Sequence, residues 1–203
     1  MIVKAREEGR GNRSSASESN IQVGLENLLK CVAFCINEVD CRRKLLLEYF
    51  GEDFPKEGCN KTCDNCQRPG KATGLDCSAH ARAIAALIRT VQANRLPRLT
   101  LVRTGKLYSG SKDKELAMYQ PSLSQVLNDH STDLKDVGKI TKTLADRLLI
   151  EMIVKRFLDE EVEMNGMGFS SGESYTYILS DKTHYTNTFY TVVMAAVVVF
   201  SGA

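Results

Sequence analysis

Apolar positions fall into helical registers over most of the chain. In residues 21–39, Leu25, Leu28, Leu29, Val32, Phe34 and Ile36 suit a first helix. Residues 41–50 predict a second, with Leu45, Leu46, Leu47 and Tyr49 as its apolar body and Gly51 as its stop. An Ala-rich helix is expected from Ser78, burying Ala81, Ile84, Ala85, Leu87, Ile88 and Val91. Residues 96–102, with Pro97 near the start, read as a short strand, and 107–118 as a helix broken at Ser109-Gly110. Residues 121–134 show no clear period. The strongest helical pattern covers 137–156, where Val137, Ile140, Leu144 and Leu148 share a face. Two strands follow, 158–164 and 175–180, and the glycine-rich stretch 165–172 between them predicts a long hairpin loop. Helix, strand, helix, helix, hairpin is the order of a winged-helix domain.

Three stretches break this pattern. Residues 1–20 are polar, with Gly-Arg-Gly-Asn-Arg-Ser-Ser from Gly9, and read as a flexible lead-in. Residues 51–74 hold Pro55, Gly58, Pro69, Gly70 and Gly74 with few apolar side chains. Such a segment has little core of its own, so a metal would have to hold it together. The tail ends in Val-Val-Met-Ala-Ala-Val-Val-Val-Phe over 192–200, too short to span a membrane, which takes about 20 apolar residues. It is expected as a buried terminal strand or as an unnatural continuation of the domain. The expected units are a lead-in over 1–20, a metal-binding subdomain over 21–74, a winged helix over 75–182 and an atypical apolar tail over 183–203.

Composition narrows the function. The chain has 203 residues and a formal net charge of only +2, so any nucleic-acid affinity must come from local clusters of Lys and Arg. Seven cysteines, an odd number, with no apolar N-terminal signal argue against a disulfide framework and for a reducing compartment.

Cys59-x3-Cys63-x2-Cys66 offers three thiols within eight residues, and Cys41 supplies a fourth from a helix start. The Cys63 and Cys66 pair has the spacing that brings two thiolates to one tetrahedral ion. Four sulfurs with no open position describe a structural zinc site. A redox Cys-x-x-Cys should open a helix after a strand, whereas this one runs into Gln67-Arg68-Pro69-Gly70. A zinc deaminase would need His-x-Glu, and none of His80, His130 and His184 has it. Cys31 and Cys35, at i and i+4 of the first helix, read as buried small residues or as reserve ligands. Cys77 reads as a bystander at the domain boundary.

The run Asp40-Cys41-Arg42-Arg43-Lys44-Leu45-Leu46-Leu47-Glu48-Tyr49-Phe50-Gly51-Glu52-Asp53-Phe54, followed by Cys59 and Cys63-Asp64-Asn65-Cys66, closely resembles the zinc-binding subdomain of RecQ DNA helicases. The region after it resembles the winged-helix RecQ C-terminal (RQC) domain. Leu99-Thr100-Leu101 and Leu107-Tyr108-Ser109-Gly110-Ser111-Lys112 look most like the branch with the Bloom syndrome helicase and its fungal relatives. The expected fold class is therefore mostly α with a small β component. A helical zinc-binding subdomain precedes a winged helix with a β-hairpin wing.

The resemblance implies roles. Cys41, Cys59, Cys63 and Cys66 would bind zinc. Of Arg42 and Arg43, one would pair with acidic groups inside the module and the other face DNA phosphate. Ser111 and Lys112, expected at a helix start after a glycine, would offer amides, a hydroxyl and an ammonium to phosphate. Lys139, Lys142, Thr143 and Arg147 follow one stripe of the long helix and would meet the duplex backbone or stand as a solvated face; Asp146 lies in the same stripe. In the wing, Met167 and Phe169 would stack on the terminal base pair at a duplex junction, or Phe169 would fold back on the domain.

No Gly-x4-Gly-Lys-[Ser/Thr] occurs: the Gly-Lys pairs at Gly70, Gly105 and Gly138 run into Ala72, Leu107 and Ile140. There is no Asp-Glu-x-His box either. ATP and Mg2+ are thus expected only in a parent helicase, and no catalytic residue is expected here. The chain reads as the C-terminal part of a 3′–5′ helicase of DNA repair, recombination and replication, with residues 1–20 either a flexible lead-in or a remnant of its second motor domain. Duplex, forked or junction DNA and DNA-repair proteins are its expected partners, the nucleus its expected compartment, and no membrane role is expected. The rival reading is a protein-interaction winged helix with a structural zinc and little DNA contact, which the small net charge favours.

Overall fold

The structure, a computed structural model, describes residues 15–68, 72–164, 175–181 and 197–201. It is mostly helical. The first helix, α1, runs over Ser15–Ile36, so the end of the expected lead-in is helical. It is followed by α2 (Arg42–Tyr49), a 3₁₀ turn over Lys56–Cys59 and the short α3 (Asp64–Gln67). Strand β1 (Ala72–Asp76) leads into α4 (Ser78–Ala93). Then come α5 (Leu101–Tyr108), a 3₁₀ helix over Lys114–Tyr119, α6 (Gln120–Asp129), α7 (Ser131–Lys135) and α8 (Lys142–Val154). Strands β2 (Leu158–Met164) and β3 (Tyr175–Asp181) pair antiparallel, from Leu158 opposite Asp181 to Met164 opposite Tyr175. The tail gives β4 (Val197–Ser201), antiparallel to β1. No helix among the described residues is long and apolar enough to cross a membrane.

Several expectations change. The strand expected over 96–102 has no partner strand among the described residues. Its end is instead a helix start: the Thr100 hydroxyl accepts from the Arg103 amide at 3.2 Å, and α5 begins at Leu101. The break expected at Ser109-Gly110 is present, since Gly110 turns the chain at φ +84°, but the helix before it already begins at Leu101 and the one after it is 3₁₀. Residues 121–134 resolve into α6, with Pro121 in its first turn where the missing N–H costs nothing, and α7. The long helix is shorter than its apolar pattern. Gly138 is left-handed at φ +71°, and Thr141 caps α8 by accepting from the Leu144 amide at 3.3 Å. Lys139 therefore precedes the helix instead of riding on it.

One core forms between Cys77 and Leu158. Ile84, Leu87 and Ile88 of α4 meet Leu107 of α5, Leu116 and Tyr119 of the 3₁₀ helix, Leu123 and Val126 of α6, and Leu148, Leu149 and Met152 of α8. Leu29 brings α1 against it. Residues 37–68 add nothing to this cluster; their buried apolar side chains are Cys41 and Cys59. Helix α2 buries none of its residues, so its expected apolar body is not one: Leu46, Tyr49 and Phe50 are exposed, Phe50 at 67%.

Helices α5 and α8 cross where Gly105 lies against Asp146, and a Cβ there would stand 1.9 Å from Asp146 Oδ1. Gly105→Ala is expected to destabilise the fold by about 1–3 kcal/mol in denaturant titration, the usual cost of overpacking. On α4, His80 is 5% exposed; its Nδ1 lies 3.0 Å from the Tyr108 hydroxyl and its ring meets the tyrosine edge-on. Burial holds its pKa below the ordinary value. The unfolded chain then takes up the proton first, at about pH 6.5, and the folded chain resists it. This contribution to stability is present above about pH 6.5 and is lost as pH falls below it. Melting temperature should fall between pH 7 and 5, and His80→Gln should flatten that fall.

Candidate metal centre and nucleic-acid-facing residues

Local backbone chemistry gathers the four cysteines. Cys41 stands at the N-cap of α2, and Cys59 ends the 3₁₀ turn. Asn60 and Lys61 are both left-handed, at φ 48° and 54°, and reverse the chain so that Cys63 faces Cys59. The Thr62 hydroxyl donates to the Cys59 carbonyl at 2.6 Å and closes that turn. Cys63 caps α3, its Sγ accepting from the Cys66 amide at 3.4 Å. The four Sγ atoms lie within 4.8 Å of one another, and Cys63 and Cys41 Sγ are 4.0 Å apart. Tetrahedral zinc–sulfur bonds of about 2.3 Å set the sulfurs about 3.8 Å apart. The donor set therefore suits zinc with a small inward movement.

The thiols are unequal. Burial raises the pKa of Cys59, but hydrogen bonds from the Thr62 hydroxyl and the Cys63 amide outweigh it and bring the thiol down to about 6. Burial and the sulfurs of Cys63, Cys41 and Cys59 push Cys66 up to about 12. Four thiolates this close repel one another, and a divalent cation at their centre relieves that repulsion.

A polar network fixes the loop before Cys41. The Asn37 side-chain oxygen accepts from the amides of Val39 and Asp40, at 3.0 and 2.9 Å. Asn65, buried between two ligand cysteines, donates to the carbonyls of Asn37 and Asp40 at 2.9 and 2.8 Å. Arg42 donates to Asp64 at 3.2 Å, reaches the Phe34 and Cys35 carbonyls, and lies 4.9 Å over the Phe34 ring. Asp64, hydrogen-bonded by Arg42, is held below the usual carboxylate range. Nothing local in the sequence points to Asn37 and Glu38. The Asn65 signal was there, a small amide between two cysteine ligands, but its acceptors lie 25 and 28 residues away.

The expected DNA-facing residues separate. Arg42 is spent inside the module, while Arg43 is exposed. Arg147 turns inward: it pairs with Glu38 at 3.0 Å, donates to the Ile36 carbonyl at 3.1 Å, and its side chain is 17% exposed. Lys142 pairs with Asp146, whereas Lys139 and Thr143 are exposed. Ser111 and Lys112 lie in the loop before the 3₁₀ helix, not at its start. Asp113 caps that helix, accepting from the Glu115 amide at 3.2 Å, so a carboxylate already occupies the expected anion position. Lys112 is exposed and Ser111 partly so. Cys31 and Cys35, expected as buried, are exposed and stand outside the cluster. Met167 and Phe169 lie outside the described residues.

Comparison with known proteins agrees with this geometry. The RecQ zinc-binding family model matches residues 3–67. ATP-dependent helicase SGS1 of Saccharomyces cerevisiae is 31% identical over 155 residues, covering 75% of this chain and 10% of that protein. ATP-dependent DNA helicase Q-like 4B of Arabidopsis thaliana is 33% identical over 156 residues, with 75% and 12% covered. ATP-dependent DNA helicase hus2/rqh1 of Schizosaccharomyces pombe is 27% identical over 148 residues, with 71% and 10% covered. The chain thus spans about a tenth of the length of these curated relatives. By its zinc-binding domain and by these relatives, the chain belongs to the RecQ family.

Proposed function

We propose that this chain is the DNA-binding and strand-separating module of a RecQ-type 3′–5′ DNA helicase, built on a structural zinc site and acting in DNA repair, recombination and replication in the nucleus. The observation that carries it is the gathering of Cys41, Cys59, Cys63 and Cys66 at one point of a segment without a core, in a chain related to DNA helicases. Zinc held by these four thiolates would cross-link residues 41–66 and leave no position open for a substrate. The metal supplies folding energy rather than reactivity.

Exposed cations would then meet the phosphates of duplex, forked or junction DNA. Lys112, Lys139 and Arg43 are the first choices, because no ion pair holds them among the described residues; Lys142 and Thr143 follow Lys139 at the start of α8, and Ser111 precedes Lys112. Arg147 is better read as a structural residue. The β2–β3 pair is the candidate wing, with Met167 and Phe169 in its connection as the candidate wedge. ATP and Mg2+ belong in this reading to a motor outside the chain.

A second reading rests on α2. Leu46, Tyr49 and Phe50 form an exposed apolar face that suits a protein partner, DNA-repair proteins among them. Binding of the purified chain to a forked duplex at several salt concentrations separates the two. The DNA reading expects affinity that drops steeply with salt, and a loss of roughly tenfold or more in Lys112→Glu/Lys139→Glu, because each phosphate contact releases counterions. No binding at low salt, or an unchanged affinity in the variant, would favour the protein-interaction reading.

A further inference from the structure

Glu38 stands where three distant parts of the chain meet. It lies in the short connection between α1 and α2, three residues before Cys41. Its carboxylate receives Arg147 of α8 at 3.0 Å and Arg68 at 3.4 Å. Arg68 directly follows α3, two residues after Cys66. One acid therefore joins a cation of the cysteine-held loop to a cation of the helix whose start carries Lys142 and Thr143. All three side chains are partly shielded, at 33%, 36% and 17% exposure for Glu38, Arg68 and Arg147, so the attraction is less screened than at an open surface.

The backbone around Glu38 depends on the same loop. Asn65 holds the carbonyls of Asn37 and Asp40 on either side of it. If residues 59–68 came apart, Arg68 would leave Glu38 and Asn65 would release the 37–40 turn. Arg147 would then face a mobile acid, and α8 would lose one of its fixed points on α1. Further along, α8 is keyed to α5 through Asp146 against Gly105, so a shift at Arg147 reaches the α5–α8 crossing one residue away.

We propose that Glu38 is a positioning residue that couples metal loading of the cysteine cluster to the order of α8. The metal-held loop sets Glu38, and Glu38 sets Arg147 and the helix that bears it. The link to DNA rests on the RecQ reading above, through Lys142 and Thr143, but the coupling is a property of this fold alone.

Backbone hydrogen exchange by mass spectrometry on the full chain, zinc-loaded and after chelation, reads it directly. In the wild type, chelation should speed exchange in residues 142–154 by roughly three- to tenfold, together with residues 37–68. In Glu38→Gln, zinc content should stay at one ion per chain, α8 should already exchange faster when loaded, and chelation should change it little. Arg147→Gln, whose side chain is remote in sequence from every cysteine ligand, should behave likewise. The proposal is overturned if chelation opens 37–68 and leaves α8 of the wild type untouched. It is equally overturned if both variants respond to chelation as the wild type does. These outcomes are read without DNA, so they stand or fall separately from the nucleic-acid reading.

Discussion

The C-terminus of α1 is the point on which the rest of this structure depends. A helix leaves its last four carbonyls without partners inside it, and burying them unpaired is costly. Here each is answered. Ala33 takes the Asn37 amide, Phe34 and Cys35 take the Arg42 guanidinium, and Ile36 takes Arg147. The helix dipole favours cations at this end as well. One arginine comes from the helix that begins at a metal ligand, the other from the main core. The end of α1 is therefore the common anchor of the zinc segment and of the helices around α8.

That anchor matters because the two halves are stabilised by different means. Residues 77–158 bury a continuous set of Leu, Ile, Val and Met side chains, each worth about 1.5–3 kcal/mol on full burial. In residues 37–68 the fully buried apolar side chains are Cys41 and Cys59, with Leu45, Leu47 and Phe54 only half-buried, and ordering each residue costs about 1–2 kcal/mol of backbone entropy. Hydrogen bonds among Asn37, Asp40, Asn65, Arg42 and Asp64 set the shape of this segment, but at about 1 kcal/mol each they cannot offset that entropy. A four-thiolate zinc site supplies an energy of the required order. The same division fits the exposed Leu46, Tyr49 and Phe50: α2 is held at its start, by Cys41 and Arg42, and has no fully buried side chain.

Much of this was legible in the sequence. The cysteine spacing announced the cluster because three of its members are close in the chain and turn chemistry alone can gather them. The Ala-rich α4 and the β2–β3 pair followed their periods. Other features were hidden for physical reasons. Strand propensity over 96–102 meant little without a partner strand, and Thr100 was the overlooked cap. The apolar period over 137–156 runs past Gly138 and Thr141, so it covers Lys139 although the helix begins after it. Arg147 looked like one more cation of a solvated stripe. Its acceptors, Ile36 and Glu38, lie more than a hundred residues away, and no local pattern announces such a pairing.

The metal segment is a staple shaped from outside, through Arg42, by the end of α1. Zinc affinity of Arg42→Gln, measured by competition with a chromogenic chelator, tests it most directly. Affinity is expected to be roughly 10- to 100-fold weaker, as is typical when a group that orients metal ligands is lost, with the helical content of the remaining chain preserved. Unchanged zinc affinity in that variant would contradict it.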